Sequence, residues 1–180
     1  MNHIDHVRLI QAGIVPARGN WADFGSGAGA FTLALADLLK TNGEIYSIDR
    51  EAGALREQAR EMHLRFPTCR VHYLCADFTQ RLELPLLDGI VMANALHFQR
   101  EADKDRVLGL MLDYLRPGGR FILIEYNVDR GNPWVPYPIS YKTWETIAAR
   151  NHLLHTRLLT TVPSRFLGEI YSALSFKAAR

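Results

Sequence analysis

The octapeptide Asp23-Phe24-Gly25-Ser26-Gly27-Ala28-Gly29-Ala30 constrains this chain more than any other feature. It joins a short β-prone run, Asn20-Trp21-Ala22-Asp23-Phe24, to a stretch where Phe31, Leu35, Leu38 and Leu39 recur at helical spacing. Alternate glycines at a strand–helix junction let the backbone turn sharply, let a ligand touch the main chain, and let helix approach strand closely. The helix start beyond them offers free N–H groups and the positive end of a dipole to an anionic group. A merely tight turn would use the same glycines, so the meaning of the loop depends on the elements downstream of it.

Downstream, strand and helix alternate. Gly43 is expected to stop the first long helix. Glu44-Ile45-Tyr46-Ser47-Ile48-Asp49 has a compact strand pattern, and a helix-prone run from Glu51 to about Phe66 ends at Pro67. Val71–Cys75 and Gly89–Ala93 read as the third and fourth strands. Val107, Leu110, Met111 and Tyr114 form the stripe of a helix, Arg116-Pro117-Gly118-Gly119 a turn, and Arg120–Glu125 a fifth strand. Such order implies right-handed crossovers and an α/β, doubly wound, Rossmann-like, mostly parallel sheet with helices on both faces. After a helix near Tyr141–Asn151 the rhythm breaks. Arg157–Val162 and Gly168–Phe176, separated at Pro163-Ser164, are expected to form an antiparallel pair at the sheet edge.

Composition bounds the remaining choices. The chain has 180 residues, 48% hydrophobic and 22% charged, which suits one domain with a substantial core. A net charge of +2 makes no case for a strong nucleic-acid partner. Cys69 and Cys75 form neither a disulfide framework nor a metal-ligand pair. No apolar run reaches the ~18 residues of a membrane span, and Met1–His6 does not look like a secretory signal. The expectation is a soluble cytoplasmic protein, of open oligomeric state.

Asp49 ends the second strand about 20 residues after Gly29, placed to accept hydrogen bonds from both hydroxyls of a ribose. Asp77-Phe78 comes after the third strand in the same way, where a carboxylate accepts from an adenine amine and a backbone N–H meets a ring nitrogen. Each acid alone also suits a helix cap; acids in register along successive strands argue for a ligand. Two cofactors fit. Gly25-x-Gly27-x-x-Ala30 satisfies the dinucleotide fingerprint. The same stretch also reads as Asp-x-Gly-x-Gly-x-Gly, and a dinucleotide has little use for Asp77.

On these residues the chain resembles the class I S-adenosylmethionine-dependent methyltransferases, and the small-molecule branch typified by quinone-biosynthesis methyltransferases. Trp21–Gly29 is similar to the first motif of that family, Tyr46–Asp49 to its ribose-acid strand, and Cys75–Phe78 to its adenine-contacting segment. Leu87–His97 is similar to the fourth-strand motif and Leu115–Arg120 to the signature turn before strand five. The resemblance runs from about residue 4 to 176. It implies a seven-stranded sheet with an antiparallel last strand and S-adenosylmethionine as cofactor. It places Asp23, Gly25, Ser26, Gly27, Gly29, Asp49, Arg50, Asp77, Phe78 and Asn94 at that cofactor. Asn94 is not followed by Pro-Pro-Tyr or Pro-Pro-Phe, so the pattern of amino-directed nucleic-acid methyltransferases is absent. An RNA or protein acceptor, or a domain that binds without transferring methyl, stays as an alternative.

Methyl transfer from a sulfonium needs alignment above all, and positioning supplies ~7–11 kcal/mol. A base is required only where the acceptor loses a proton. His97, just past strand four, is the candidate base; a histidine satisfied by local backbone is the competing reading. Glu125, Tyr126 and Asn127, at the end of strand five, are further candidates to face the acceptor, Tyr126 as a substrate residue. Trp134, Tyr137, Tyr141 and Trp144 are candidates for an apolar acceptor pocket. The proline- and aromatic-rich segment from Gly131 to Tyr141 is either a rigid surface loop or a pocket wall. Ile4, Val7, Ile10, Ile14 and Val15 suggest a helix within residues 1–18, packed over the cofactor cleft or into the core.

Overall fold

In the computed structural model, which describes residues 1–179, the elements keep to the expected alternation. They are α1 (His3–Ile10), β1 (Gly19–Phe24), α2 (Ala30–Leu39), β2 (Gly43–Asp49), α3 (Ala52–Arg65), β3 (Arg70–Cys75) and β4 (Leu87–Ala93). Then come α4 (Glu101–Tyr114), β5 (Leu115–Tyr126), α5 (Tyr141–Arg150), β6 (Leu153–Pro163) and β7 (Glu169–Lys177). The seven strands form one sheet in the order β3-β2-β1-β4-β5-β7-β6. β1 to β5 pair in parallel, whereas β7 runs antiparallel to both neighbours.

Both faces are covered, which explains why the central strands are apolar throughout. α1, α2 and α3 pack one face around Leu9, Phe31, Leu35 and Met62. α4 and α5 pack the other around Val107, Met111, Trp144 and Ile147. The crossover at β1 therefore delivers Phe24, Asp49, Cys75, Ala93 and Tyr126 to one edge of the sheet, the carboxyl end where open α/β sheets bind ligands.

Several local expectations change. α2 ends at Leu39, not at Gly43; Lys40 takes φ +52° and closes it. Gly43 instead opens β2, where a side chain would collide with the carbonyl oxygen of Gly19 on the neighbouring strand. The Arg116–Gly119 turn is a bulge inside β5: Leu87 faces Leu115, yet Gly89 already faces Arg120, and Gly118 takes φ +72°. α1 stops at Ile10 and a 3₁₀ turn succeeds it, so Ile4 and Val15 are exposed while Leu9, Ile10 and Ile14 enter the core. Trp144 lies in the core, stacked on Phe121, with no exposed surface to offer an acceptor.

Gly89 on β4 lies under the buried Trp21 ring of β1, where any Cβ would overlap the indole. Gly89→Ala is expected to destabilise the fold by about 1–3 kcal/mol through overpacking. Gly109→Ala, in α4 with no atom near the new methyl, is expected to stabilise by about 0.5–1 kcal/mol. Urea unfolding of both variants checks the pair.

Candidate active site

The glycine loop is folded back over the end of β2. Gly25, Gly27 and Gly29 take φ values of +75°, +52° and +89°, a left-handed backbone that few other residues adopt. The N–H groups of Gly25 and Ser26 both donate to the Ile48 carbonyl, at 2.9 and 3.0 Å. The Gly27 N–H donates to Asp49 Oδ2 at 2.7 Å, and Asp49 Oδ1 accepts from the Glu51 N–H at 2.9 Å. Asp77 Oδ1 accepts from the Thr79 N–H at 2.8 Å. Each carboxylate is thereby aimed by backbone donors while keeping lone pairs for a ligand.

These pieces surround one cleft of about 630 Å3. Of the residues expected at a cofactor, Gly25, Gly27, Asp49, Arg50, Asp77, Phe78 and Asn94 line it. Glu51, Thr79, Phe98 and Gln99, which carry no motif signal in the sequence, line it too. Space is open beyond Gly27, so a ligand reaches bare main chain there. Asn94 holds φ +49°, and its buried Oδ1 has no hydrogen-bond partner. A buried acceptor left unpaired is costly, and a donor on a ligand would satisfy it.

Three expected cofactor residues sit behind the wall instead. Asp23 is buried, accepting from Thr32 Oγ1 at 2.7 Å. Ser26 Oγ lies 2.8 Å from Ser47 Oγ, in a buried set that includes Gln58. Gly29 caps α2, and a side chain there would collide with Gln58. α1 contributes no residue to the lining; its buried face meets the core against α2.

His97, the expected base, is not satisfied by local backbone. Its Nδ1 lies 2.7 Å from Glu125 Oε2, and its N–H donates to Glu125 Oε1 at 3.1 Å, with both side chains almost fully buried. The carboxylate assigns the ring proton to Nδ1 and leaves Nε2 as an acceptor. The loop after β5 is pinned at one residue: the Tyr137 N–H donates to the His97 carbonyl at 3.0 Å, and the buried Lys104 ammonium donates to the Tyr137 carbonyl at 3.1 Å. These two bonds tie the loop to the residues just past β4, although none of its residues lines the cleft over the glycine loop. Around His97 stand Phe98 at 4.3 Å and Tyr126 at 6.1 Å between ring centroids; Tyr126 meets Phe166 at 6.0 Å, and Phe166 meets Trp134 edge-on. Burial and the Glu125 charge raise the Tyr126 phenol pKa, keeping it a donor. Tyr141 turns away, edge-on to Tyr171, and Asn127 is consumed by bonds to Glu169 and the Tyr141 N–H.

A family model described as a methyltransferase domain matches residues 19–164. The chain belongs to this methyltransferase-domain family. A curated relative, the carboxy-S-adenosyl-L-methionine synthase of Pseudoalteromonas atlantica, is 25% identical over 123 residues, 68% of this chain. This chain spans half of that relative's length, 50%. Among solved structures, the 1,6-didemethyltoxoflavin-N1-methyltransferase of Burkholderia thailandensis, with its substrate and S-adenosylhomocysteine bound, superimposes with a TM-score of 0.78 at 17% identity, over 98% of this chain and 78% of that one. The N-methyltransferase NodS of Bradyrhizobium japonicum does so with 0.77 at 17% identity, over 97% and 95%. At such identities the likeness to these structures is one of fold.

In this methyltransferase domain Asp23 also sets a pH dependence. Desolvation pushes its pKa from 3.8 to about 7, with the Thr32 hydroxyl opposing and the Asp49 charge adding. Between those values the folded state keeps a proton that the unfolded state has released, so stability falls as pH rises through the window, by about 4 kcal/mol in all. Asp23→Asn is expected to remove that slope and to melt higher than wild type at pH 8 but not at pH 4. Thermal melts across pH 4–8 measure it.

Proposed function

We propose that this chain binds S-adenosylmethionine in the cleft over the glycine loop and transfers its methyl group to a small acceptor beside His97. The observation that carries the reading is the charge and bonding of that cleft. Its ionisable lining residues are Asp49, Glu51 and Asp77 against Arg50. Three carboxylates and one guanidinium suit a ligand with a sulfonium and an ammonium, and repel the pyrophosphate of a dinucleotide. Asp49, aimed by two N–H donors, suits a ribose diol, Asp77 and Phe78 an adenine, and the unpartnered Asn94 Oδ1 an amino group. The relative named for carboxy-S-adenosyl-L-methionine, and the S-adenosylhomocysteine held by a structural neighbour, support this ligand class.

Bound S-adenosylmethionine supplies a methyl group already activated for in-line displacement. The protein's own contribution is to position donor and acceptor and to exclude water. His97, its tautomer held by Glu125, is suited to take a proton from a hydroxyl or amine acceptor. Phe98, Phe166 and Trp134 are 59%, 52% and 70% exposed, an uncommon cluster of open aromatics that favours a flat, partly apolar acceptor. A place in the quinone-biosynthesis branch, a small-molecule partner and a cytoplasmic location belong to the same proposal; among the described residues, no helix is long and apolar enough to cross a membrane.

Isothermal titration with S-adenosylhomocysteine tests the cofactor: wild type binds, while Asp49→Ala and Asp77→Ala each weaken binding at least tenfold. No binding by wild type overturns the reading. The acceptor side is tested by tryptophan fluorescence, because Trp21 and Trp144 are fully buried and Trp134 is exposed. With S-adenosylhomocysteine present, 1-naphthol is expected to quench Trp134 saturably and cyclohexanol is not. His97→Gln should lower kcat toward a hydroxyl acceptor by ~10²–10⁴ while S-adenosylhomocysteine affinity stays unchanged.

A further inference from the structure

At the opposite end of the sheet, where β1, β4 and β5 begin, lies a second cavity of about 210 Å3. Its walls are Pro16, Arg18, Asp88, Arg120 and the bulge from Arg116 to Gly119. The proposed methyl transfer makes no use of it. Its charges are unbalanced. Asp88 Oδ1 accepts from Arg116 at 2.8 Å, and Asp88 Oδ2 accepts from the Asn20 N–H at 2.7 Å, so both carboxylate oxygens are engaged. Among the described residues, no carboxylate forms an ion pair with Arg18 or Arg120, although Arg70, Arg81 and Arg150 on the open surface all have one. Three guanidiniums thus face a hollow with one carboxylate.

Arg120 is the unusual member. It is half-buried on β5, between Gly89 of β4 and Phe176 of β7. Burial pushes its pKa below the ordinary guanidinium value; Asp88 works against that shift and the Arg18 charge adds to it. Holding a partly desolvated cation beside a second one is unfavourable until an anion joins them. Guanidiniums are planar forks matched to tetrahedral oxyanions, which they bind in paired, charge-assisted hydrogen bonds. Gly118 leaves open space at its Cα, so the bulge offers backbone and not side chain to whatever enters.

We propose that this cavity is a binding site for a small phosphoryl-bearing anion, held by Arg18, Arg116 and Arg120. The ligand is free inorganic phosphate or the phosphate end of a small monoester, whose remainder projects into solvent. The site is separate from the cleft over the glycine loop and stands whether or not that cleft transfers methyl groups.

The experiment is a thermal-shift titration with inorganic phosphate and with glycerol 3-phosphate, each against sodium chloride at matched ionic strength. Saturable stabilisation by either phosphate, absent with chloride, is expected. Arg18→Gln and Arg120→Gln should each weaken it at least tenfold, with S-adenosylhomocysteine titration unchanged. A response to glycerol 3-phosphate equal to that of phosphate marks monoesters as ligands; a response to phosphate alone marks the free ion. Broadening of the phosphate ³¹P resonance by wild-type protein provides a readout that needs no variant. A shift that tracks ionic strength alone, no ³¹P broadening, or full binding by the Arg18→Gln/Arg120→Gln protein would overturn the site.

Discussion

Two amides on one carbonyl hold the cleft in place. Because Gly25 and Ser26 both donate to Ile48, the loop leaving β1 cannot continue along the strand; it must roll over the end of β2. Only a backbone free to adopt positive φ at alternate positions does this. The roll brings the Gly27 N–H to Asp49 and starts α2 at Gly29 against Gln58. The orientation of Asp49, the open main chain and the packing of α2 and α3 all depend on that one turn.

The parallel sheet then does the remaining placement. β4 and β5 pair with Ala93 opposite Ile124, so the residues just beyond these strands meet above the sheet edge. His97 and Glu125 are brought to 2.7 Å although 28 residues separate them. Lys104 and Tyr137 lock the loop after β5 to the same place. In the function proposed above, aromatics placed around this anchored pair would select an acceptor by shape.

The elements whose signals are local were legible in the sequence. The glycine loop, the acids ending β2 and β3, and the antiparallel tail pair stand where period and turn chemistry put them, because each depends on neighbours within a few residues. The features that were not legible depend on partners distant in the chain. Gly43 looked like a helix stop because its contact with Gly19 lies across a strand pair. Asp23 looked like a ligand because nothing local shows that Thr32 captures it inside. The partner of His97, Glu125, is 28 residues away on β5, so no local signal names it. Phe166 gave no signal, since a hairpin between β6 and β7 carries it to Tyr126.

Gly25, Gly27, Asp49, Asp77 and Asn94 are proposed to form one ligand site. Backbone amide resonances recorded during titration with S-adenosylhomocysteine test it residue by residue. Saturable shifts are predicted at Gly25, Ser26, Gly27, Glu51, Phe78, Thr79 and Ala95, with Arg18 and Arg120 unmoved. No shifts at those amides, or shifts confined to the far end of the sheet, would contradict it.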